Sequence, residues 1–186
     1  MILPIYTYGQ SVLKKKAELI DQHYEGLQEL ISDMWDTMYN AKGVGLAAPQ
    51  IGRSIRIFLI DTVQVLEEDE KEMGVKEVFI NPQKLDEFGN PWSYEEGCLS
   101  IPHIRGNVER PEKIRIKYVN SDFEEKEQLF EGINARVIQH EYDHLEGVLF
   151  TELLKPVKRR LIKRKLEAIK KGRVEAEYRL KFAAIK

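Results

Sequence analysis

The stretch "VIQHEYDHLEG", Val137 to Gly147, limits the folds open to this chain more than any other. His140 and His144 lie four residues apart, with Glu141 directly after the first. At that spacing two imidazoles share one cation on a helix, where residues i and i+4 stand one above the other. Glu141 then points partly toward the same site without being forced to coordinate, so H-E-x-x-H reads as a metal site with an adjacent general base. Ile138 and Leu145 flank the motif with apolar side chains, which places the helix partly in the core. The fold must therefore carry a metal-bearing helix against its interior.

The other elements follow from periodicity and punctuation. Apolar residues Leu27, Leu30, Ile31, Met34, Trp35 and Met38 recur at spacings of three and four, which predicts a helix over Tyr24–Asn40. "AKGVGLAAPQIG" ends that helix and builds a loop. "IRIFLID" (Ile55–Asp61) and "VFINP" (Val78–Pro82) read as short buried strands. A turn-rich passage follows, with a strand expected around Gly97–Ile101. "KIRIKYVN" alternates as a half-buried antiparallel strand does, and "EKEQLFEG" continues the meander. Gly132–Leu145 is the metal helix, "VLFTE" a short strand, and a last helix starts at Pro156 and runs to about Lys171. The acidic run Glu67–Glu72 reads as a solvated loop. Helix, strands, helix and helix in that order indicate an α+β fold, with antiparallel β-sheets packed around a central metal-binding helix between an N-terminal and a C-terminal helix. A length of 186 residues suits one catalytic domain, 1–186, of which 156–186 is a basic helical extension.

Composition narrows the class. Hydrophobic content of 42% and charged content of 32% are those of a globular protein. A net charge of −2 gives no global attraction to nucleic acid or membrane. No segment approaches the roughly 18 consecutive apolar residues of a membrane span. The opening "MILPIYTYGQ" lacks the charged and apolar regions of a secretory signal, and Cys98 is the single cysteine, so the expectation is a cytoplasmic protein with a reduced thiol.

Two imidazoles leave the third protein ligand open. His23, His103, several carboxylates and Cys98 are the candidates. Glu146 lies two residues past His144 on the same helix and points away from it, whereas spacing does not exclude Glu152. Cys98 is chemically suited, because thiolate binds borderline-soft divalent ions well, although a lone cysteine is more often a small buried hydrophobe. "GVGLAAPQ" matches G-x-G-x-x-A, but it follows a helix rather than a strand, and Pro49 interrupts any helix starting there, so it is no dinucleotide fingerprint. Gly43 and Gly45 instead let backbone come close to an extended substrate, and Val44 is placed to line a pocket. Ile133 and Val137, one and two turns before His140 on its face, are pocket or core residues alike, and Arg136 leans toward the pocket mouth. Asp143 and Glu96 are candidates for orienting the motif residues or for plain structural salt bridges.

"GVGLAAPQ" (Gly43–Gln50), "EGCLS" (Glu96–Ser100) and "QHEYDHLEG" (Gln139–Gly147), in this order and at these separations, closely resemble the three signature motifs of peptide deformylase. The resemblance extends roughly over Ile2–Lys171. It implies that Cys98, His140 and His144 hold one divalent metal ion per chain, Fe²⁺ natively, with Zn²⁺, Ni²⁺ or Co²⁺ as substitutes. It implies removal of the formyl group from N-formyl-methionyl nascent peptides, with attack by a metal-bound hydroxide and Glu141 moving the proton. It assigns the oxyanion to the Gln50 side-chain amide and the Leu99 backbone N–H. It places Arg105 near the substrate's peptide backbone and methionine in the Val44 pocket; Gly43, Val44, Gly45, Gly97, Ile133 and Val137 complete the candidate substrate-binding residues. A thiolate ligand tempers the metal's Lewis acidity, and a formyl carbon, bearing only hydrogen, needs less activation than a peptide carbonyl. An iron–thiolate site is also expected to be oxygen-sensitive.

From Lys155 to Arg173 ten Lys/Arg stand against Glu167 alone, so this segment carries +9 and the remainder −11. A solvated helix face is the usual meaning of such a run, but the segregation also fits an anionic partner. The resemblance implies docking on the ribosome, through ribosomal RNA, and deletion of 156–186 is expected to weaken that association while sparing cleavage of a short formyl-peptide. The rivals are an H-E-x-x-H metallopeptidase, which would cleave internal amides, and a metal-stabilised RNA-binding module, for which four protein ligands would be expected.

Overall fold

The computed structural model describes residues 1–183. The chain begins with a short strand, β1 (Ile5–Tyr6), and the first helix, α1 (Leu27–Asn40), starts after Gly26 in the left-handed conformation. Five strands follow: β2 (Gly45–Ala47), β3 (Ile57–Asp61), β4 (Lys76–Cys98), β5 (Ile101–Val119) and β6 (Glu125–Glu131). They form one antiparallel sheet in sequence order, β2-β3-β4-β5-β6. The metal-motif helix α2 (Gly132–Leu145) comes directly after β6, then α3 (Pro156–Lys170), and β7 (Leu180–Lys181) pairs with β1 in parallel.

β3 shows how the layers are set. All five of its residues are buried, because both faces of the strand are covered. Ile57 and Leu59 join Met34 and Met38 of α1 in one apolar cluster, while Phe58 and Ile60 join Ala135, Ile138 and Leu145 of α2 in another. Period-two alternation thus sorts one strand between two helices, and the sheet lies as a layer between α1 and α2. The α2 side is held by an aromatic column, with Phe58 and Phe79 centroids 4.6 Å apart and Phe79 and Tyr118 4.2 Å apart. A third cluster gathers Ile101, Ile104 and Val108 of β5 with Phe150 and with Ile162 and Ile169 of α3. The helix bearing the H-E-x-x-H motif is therefore fixed by the sheet beneath it.

Among the described residues the fold is α+β, with an antiparallel five-stranded sheet and three α-helices, as expected. Several local expectations are corrected. The strand predicted around Gly97–Ile101 is instead the reversal of a long hairpin: β4 runs unbroken to Cys98, the chain turns at Leu99–Ser100, and β5 starts at Ile101. Glycine and proline suggested turns through 90–106, but register shifts between Phe88 and Pro91 and between Gly97 and Cys98 let the hairpin absorb them as bulges and bend. "VLFTE" contains a 3₁₀ turn, Phe150–Glu152, rather than a strand: β-forming residues found no sheet edge, and Phe150 is buried in the third cluster instead. The pairing of β1 with β7 had no sequence signal, since two-residue strands carry no period.

Candidate metal centre and substrate cleft

The site is built where the end of β4 meets the middle of α2. His140 and His144, one turn apart, place their ring centroids 5.1 Å apart. Cys98, the last residue of β4, brings its Sγ to 3.3 Å from His144 Nε2. The ligand atoms of Cys98, His140 and His144 all lie within 4.8 Å of one another, close enough for one ion. Glu152, left open as a third ligand, pairs with Lys14, and Glu146 pairs with Arg56.

A buried ion-pair network aims these ligands. His140 Nδ1 lies 2.9 Å from Glu96 Oε2, which turns Nε2 toward the ligand group. Glu96 also accepts from Arg110 Nε at 2.7 Å and Nη2 at 3.1 Å, and from Arg136 Nη1 at 3.0 Å. Arg110 Nη1 donates on to Asp143 at 2.8 Å. Burial opposes a charge on Glu96, but the hydrogen bonds from His140 and Arg110 hold its carboxyl well below the usual carboxylate range. Burial keeps His144 well below the ordinary histidine value, leaving it neutral.

Glu141 sits one residue beyond His140 and lines the cleft. Burial pushes its carboxyl up to about 7, where it can both take and return a proton near neutrality. Its Oε2 is buried with no hydrogen-bond partner among the described residues. A buried carboxylate beside one thiol and two imidazoles fits a divalent ion with an open coordination position; four protein donors would have closed it.

The cleft has a volume of about 440 Å³. Gly43, Val44 and Gly45 form one wall, and Gly97, Cys98 and Leu99 face them from the hairpin. A Cβ on Gly45 would lie 2.5 Å from Glu141 Oε1, so only glycine lets β2 pass the carboxylate. Gln50 is buried; its Oε1 accepts from Ala47 N at 2.9 Å, which turns the amide Nε2 toward Cys98 Sγ at 3.5 Å and Ser100 Oγ at 3.3 Å. Ile133 and Val137 line the cleft from α2, and Arg105 reaches its rim, largely exposed and paired with Glu95. Every residue named from the sequence as catalytic, metal-binding or substrate-binding lines this cleft except His144, which lies buried behind it.

One sequence expectation is corrected in part. Arg136 lines the cleft, but from its buried side rather than at an exposed mouth: it is 2% exposed, ion-paired with Glu96 and stacked 4.6 Å from the Trp92 ring centroid. A partner acid on another strand cannot be read from helix position. The sequence reading also missed Arg110, Tyr94 and Tyr178. Arg110 had a usable signal, because β5 alternation puts it on the same buried face as Ile104 and Val108. Tyr178 had none, lying 79 residues from the Leu99 carbonyl it touches.

The sequence model of the family described as "Polypeptide deformylase" matches residues 2–160. A protein called "Peptide deformylase" from Christiangramia forsetii is 52% identical, over 98% of this chain and 96% of its own length. Another of that name from Flavobacterium johnsoniae is 50% identical, over 100% of this chain and 98% of its own. Among solved structures, a peptide deformylase from Legionella pneumophila superposes with a TM-score of 0.80 at 40% identity, covering 92% of this chain and 97% of that one.

Proposed function

Because this chain belongs to the polypeptide deformylase family, we propose that it frees nascent polypeptides of their N-terminal formyl group with the residues assembled at the α2–β4 junction. The observation that carries this reading is the convergence of one sulfur and two imidazole nitrogens within 4.8 Å, beside a buried glutamate and under an open cleft. Cys98, His140 and His144 hold a single divalent ion; Fe²⁺ is the native one in this reading, with Zn²⁺, Ni²⁺ or Co²⁺ able to replace it. Bound there, the ion supplies Lewis acidity that brings the pKa of a water toward neutrality.

The chain's own residues do the rest. Glu141 takes a proton from the attacking water and returns it to the departing amine. The Gln50 amide and the Leu99 N–H donate to the oxygen of the formyl group as it gains charge. β2 is an edge strand of the sheet, so an extended peptide can lie beside Val44 and Gly45, with Gly97 opposite. Val44, Ile133 and Val137 surround the first side chain, a methionine, and Arg105 stands near the peptide backbone that follows. Thiolate donation from Cys98 moderates the ion, which suits an unhindered formyl carbon better than a peptide carbonyl.

The whole chain acts as one catalytic domain and works in the cytoplasm, where formylated chains emerge. No helix among the described residues is long and apolar enough to cross a membrane. The exposed Lys and Arg of α3, interleaved with exposed Val157 and Leu161, form a surface for ribosomal RNA.

Substituting Glu141→Ala tests the chemistry. Metal content should stay at one ion per chain while formate release from a formyl-methionyl peptide collapses. Retained activity would reject this proton-transfer role.

A further inference from the structure

The described tail beyond α3 crosses one side of the cleft and is tied to both of its walls. On the glycine-rich wall, Glu177 pairs with Lys42 Nζ at 2.6 Å. On the hairpin wall, the Tyr178 hydroxyl donates to the Leu99 carbonyl at 2.8 Å, and His103 Nε2 lies 2.7 Å from the Glu175 carbonyl. Lys42, Leu99, His103 and Tyr178 all line the cleft. Further along, the tail is fastened to the start of the chain. Ile5 N donates to Arg179 O at 2.8 Å, Thr7 N to Lys181 O at 3.1 Å, and Gln10 Nε2 to Phe182 O at 2.8 Å.

Leu99 and Ser100 form the turn between β4 and β5, where ladder hydrogen bonds stop. Groups from elsewhere in the chain hold this turn. Ser100 O accepts from Tyr8 N at 2.9 Å, Ser100 Oγ receives Gln50 Nε2 at 3.3 Å, and Leu99 O receives Tyr178. Leu99 also closes on the opposite wall, since a Cβ on Gly43 would come within 2.9 Å of its Cδ1. Fixing the Leu99 carbonyl restricts rotation about that residue, and with it the direction of its N–H. Transition-state donors must be aimed before the reaction, because reorienting them costs rate.

We propose that Tyr178 is a positioning residue for deformylation, holding the Leu99 turn so that its N–H faces the reacting oxygen, and that the tail carrying it forms a wall of the substrate cleft. The proposal rests on the deformylase reading of the site. Tyr178→Phe removes the hydroxyl and keeps the ring. In the full-length, metal-loaded enzyme acting on N-formyl-Met-Ala-Ser, it should lower kcat about 5- to 10-fold with KM within about twofold. Metal content and melting temperature should match the parent within about 2 °C. Hydrogen exchange across Cys98–Ser100 should quicken in the variant. Tyr178→Leu, which also removes the ring, should raise KM as well. Parental kcat in Tyr178→Phe overturns the proposal, as does a loss of kcat matched by lost metal or a lower melting temperature. Absence of formate release by the parent would overturn the deformylase reading instead.

Discussion

At the scale of single residues the site depends on clearances as much as on donors. Gly45 is the clearest case, because any side chain there would meet the Glu141 carboxylate. Gly45→Ala should therefore cut formate release by about 100-fold, the order expected when a reacting group is displaced by about 1 Å. Steady-state assay beside metal analysis checks this, since the ion should remain. Tyr39 makes a second residue-level prediction. Burial, and then the hydrogen bond to Asp61 Oδ2 at 2.6 Å, raise its phenol above the ordinary value of 10.0. Asp61 N in turn donates to the Val44 carbonyl at 2.8 Å, so the pair braces the glycine-rich wall. A raised folded-state pKa gives stability that is complete below the unfolded value and lost as pH climbs past it. Stability should thus fall from about pH 10 upward, and Tyr39→Phe should flatten that decline in denaturation curves. The H-E-x-x-H pair, Cys98 and the glycines were legible in the sequence, because their chemistry is local. The partners of Arg136 were not, because its acid lies 40 residues away on another element.

At the scale of elements, α2 was legible to its first and last residue. Its apolar spacing, the glycines at 132 and 147 and the metal motif all agree on one helix. The β4–β5 hairpin was not, because its prolines and glycines read as breaks in a sequence that bulges keep continuous. That hairpin carries the network that joins the strands to the metal helix. Glu96 is 4% exposed and is shared by His140, Arg110 and Arg136. Glu96→Gln leaves buried guanidinium charge uncompensated and should cost about 3–5 kcal/mol in urea unfolding. Loss of the carboxylate behind His140 should also weaken metal binding about 10- to 100-fold in competition titrations with a chelator. An unchanged metal affinity would separate Glu96 from the ion and leave it a purely structural pair.

At the scale of the molecule, charge is segregated: basic α3 sits on an otherwise acidic body. Its polar face is exposed, but Ile162 and Ile169 are buried with β5, and the segment after it reaches the cleft through Tyr178. Deleting 156–186 would therefore disturb core and cleft together, and the expectation that it spares cleavage of a short peptide is withdrawn. Charge reversal is the cleaner test. Lys158→Glu, Arg160→Glu and Arg164→Glu together should weaken ribosome co-sedimentation most at low salt, reduce its salt dependence, and leave the melting temperature within about 2 °C. Charge runs are visible in any sequence, whereas the return of the tail to the active site depends on contacts 79 and 135 residues apart.

In the proposed activity, metal-dependent deformylation rests on Cys98, His140, His144 and Glu141. The most direct measurement is formate release from N-formyl-Met-Ala-Ser by the protein purified without oxygen, then stripped with a chelator and reloaded. Release is expected with about one ion per chain, to be lost on chelation and recovered with Fe²⁺, with no cleavage of the internal amides. A fully loaded protein that releases no formate, or one whose rate is indifferent to the chelator, would contradict it.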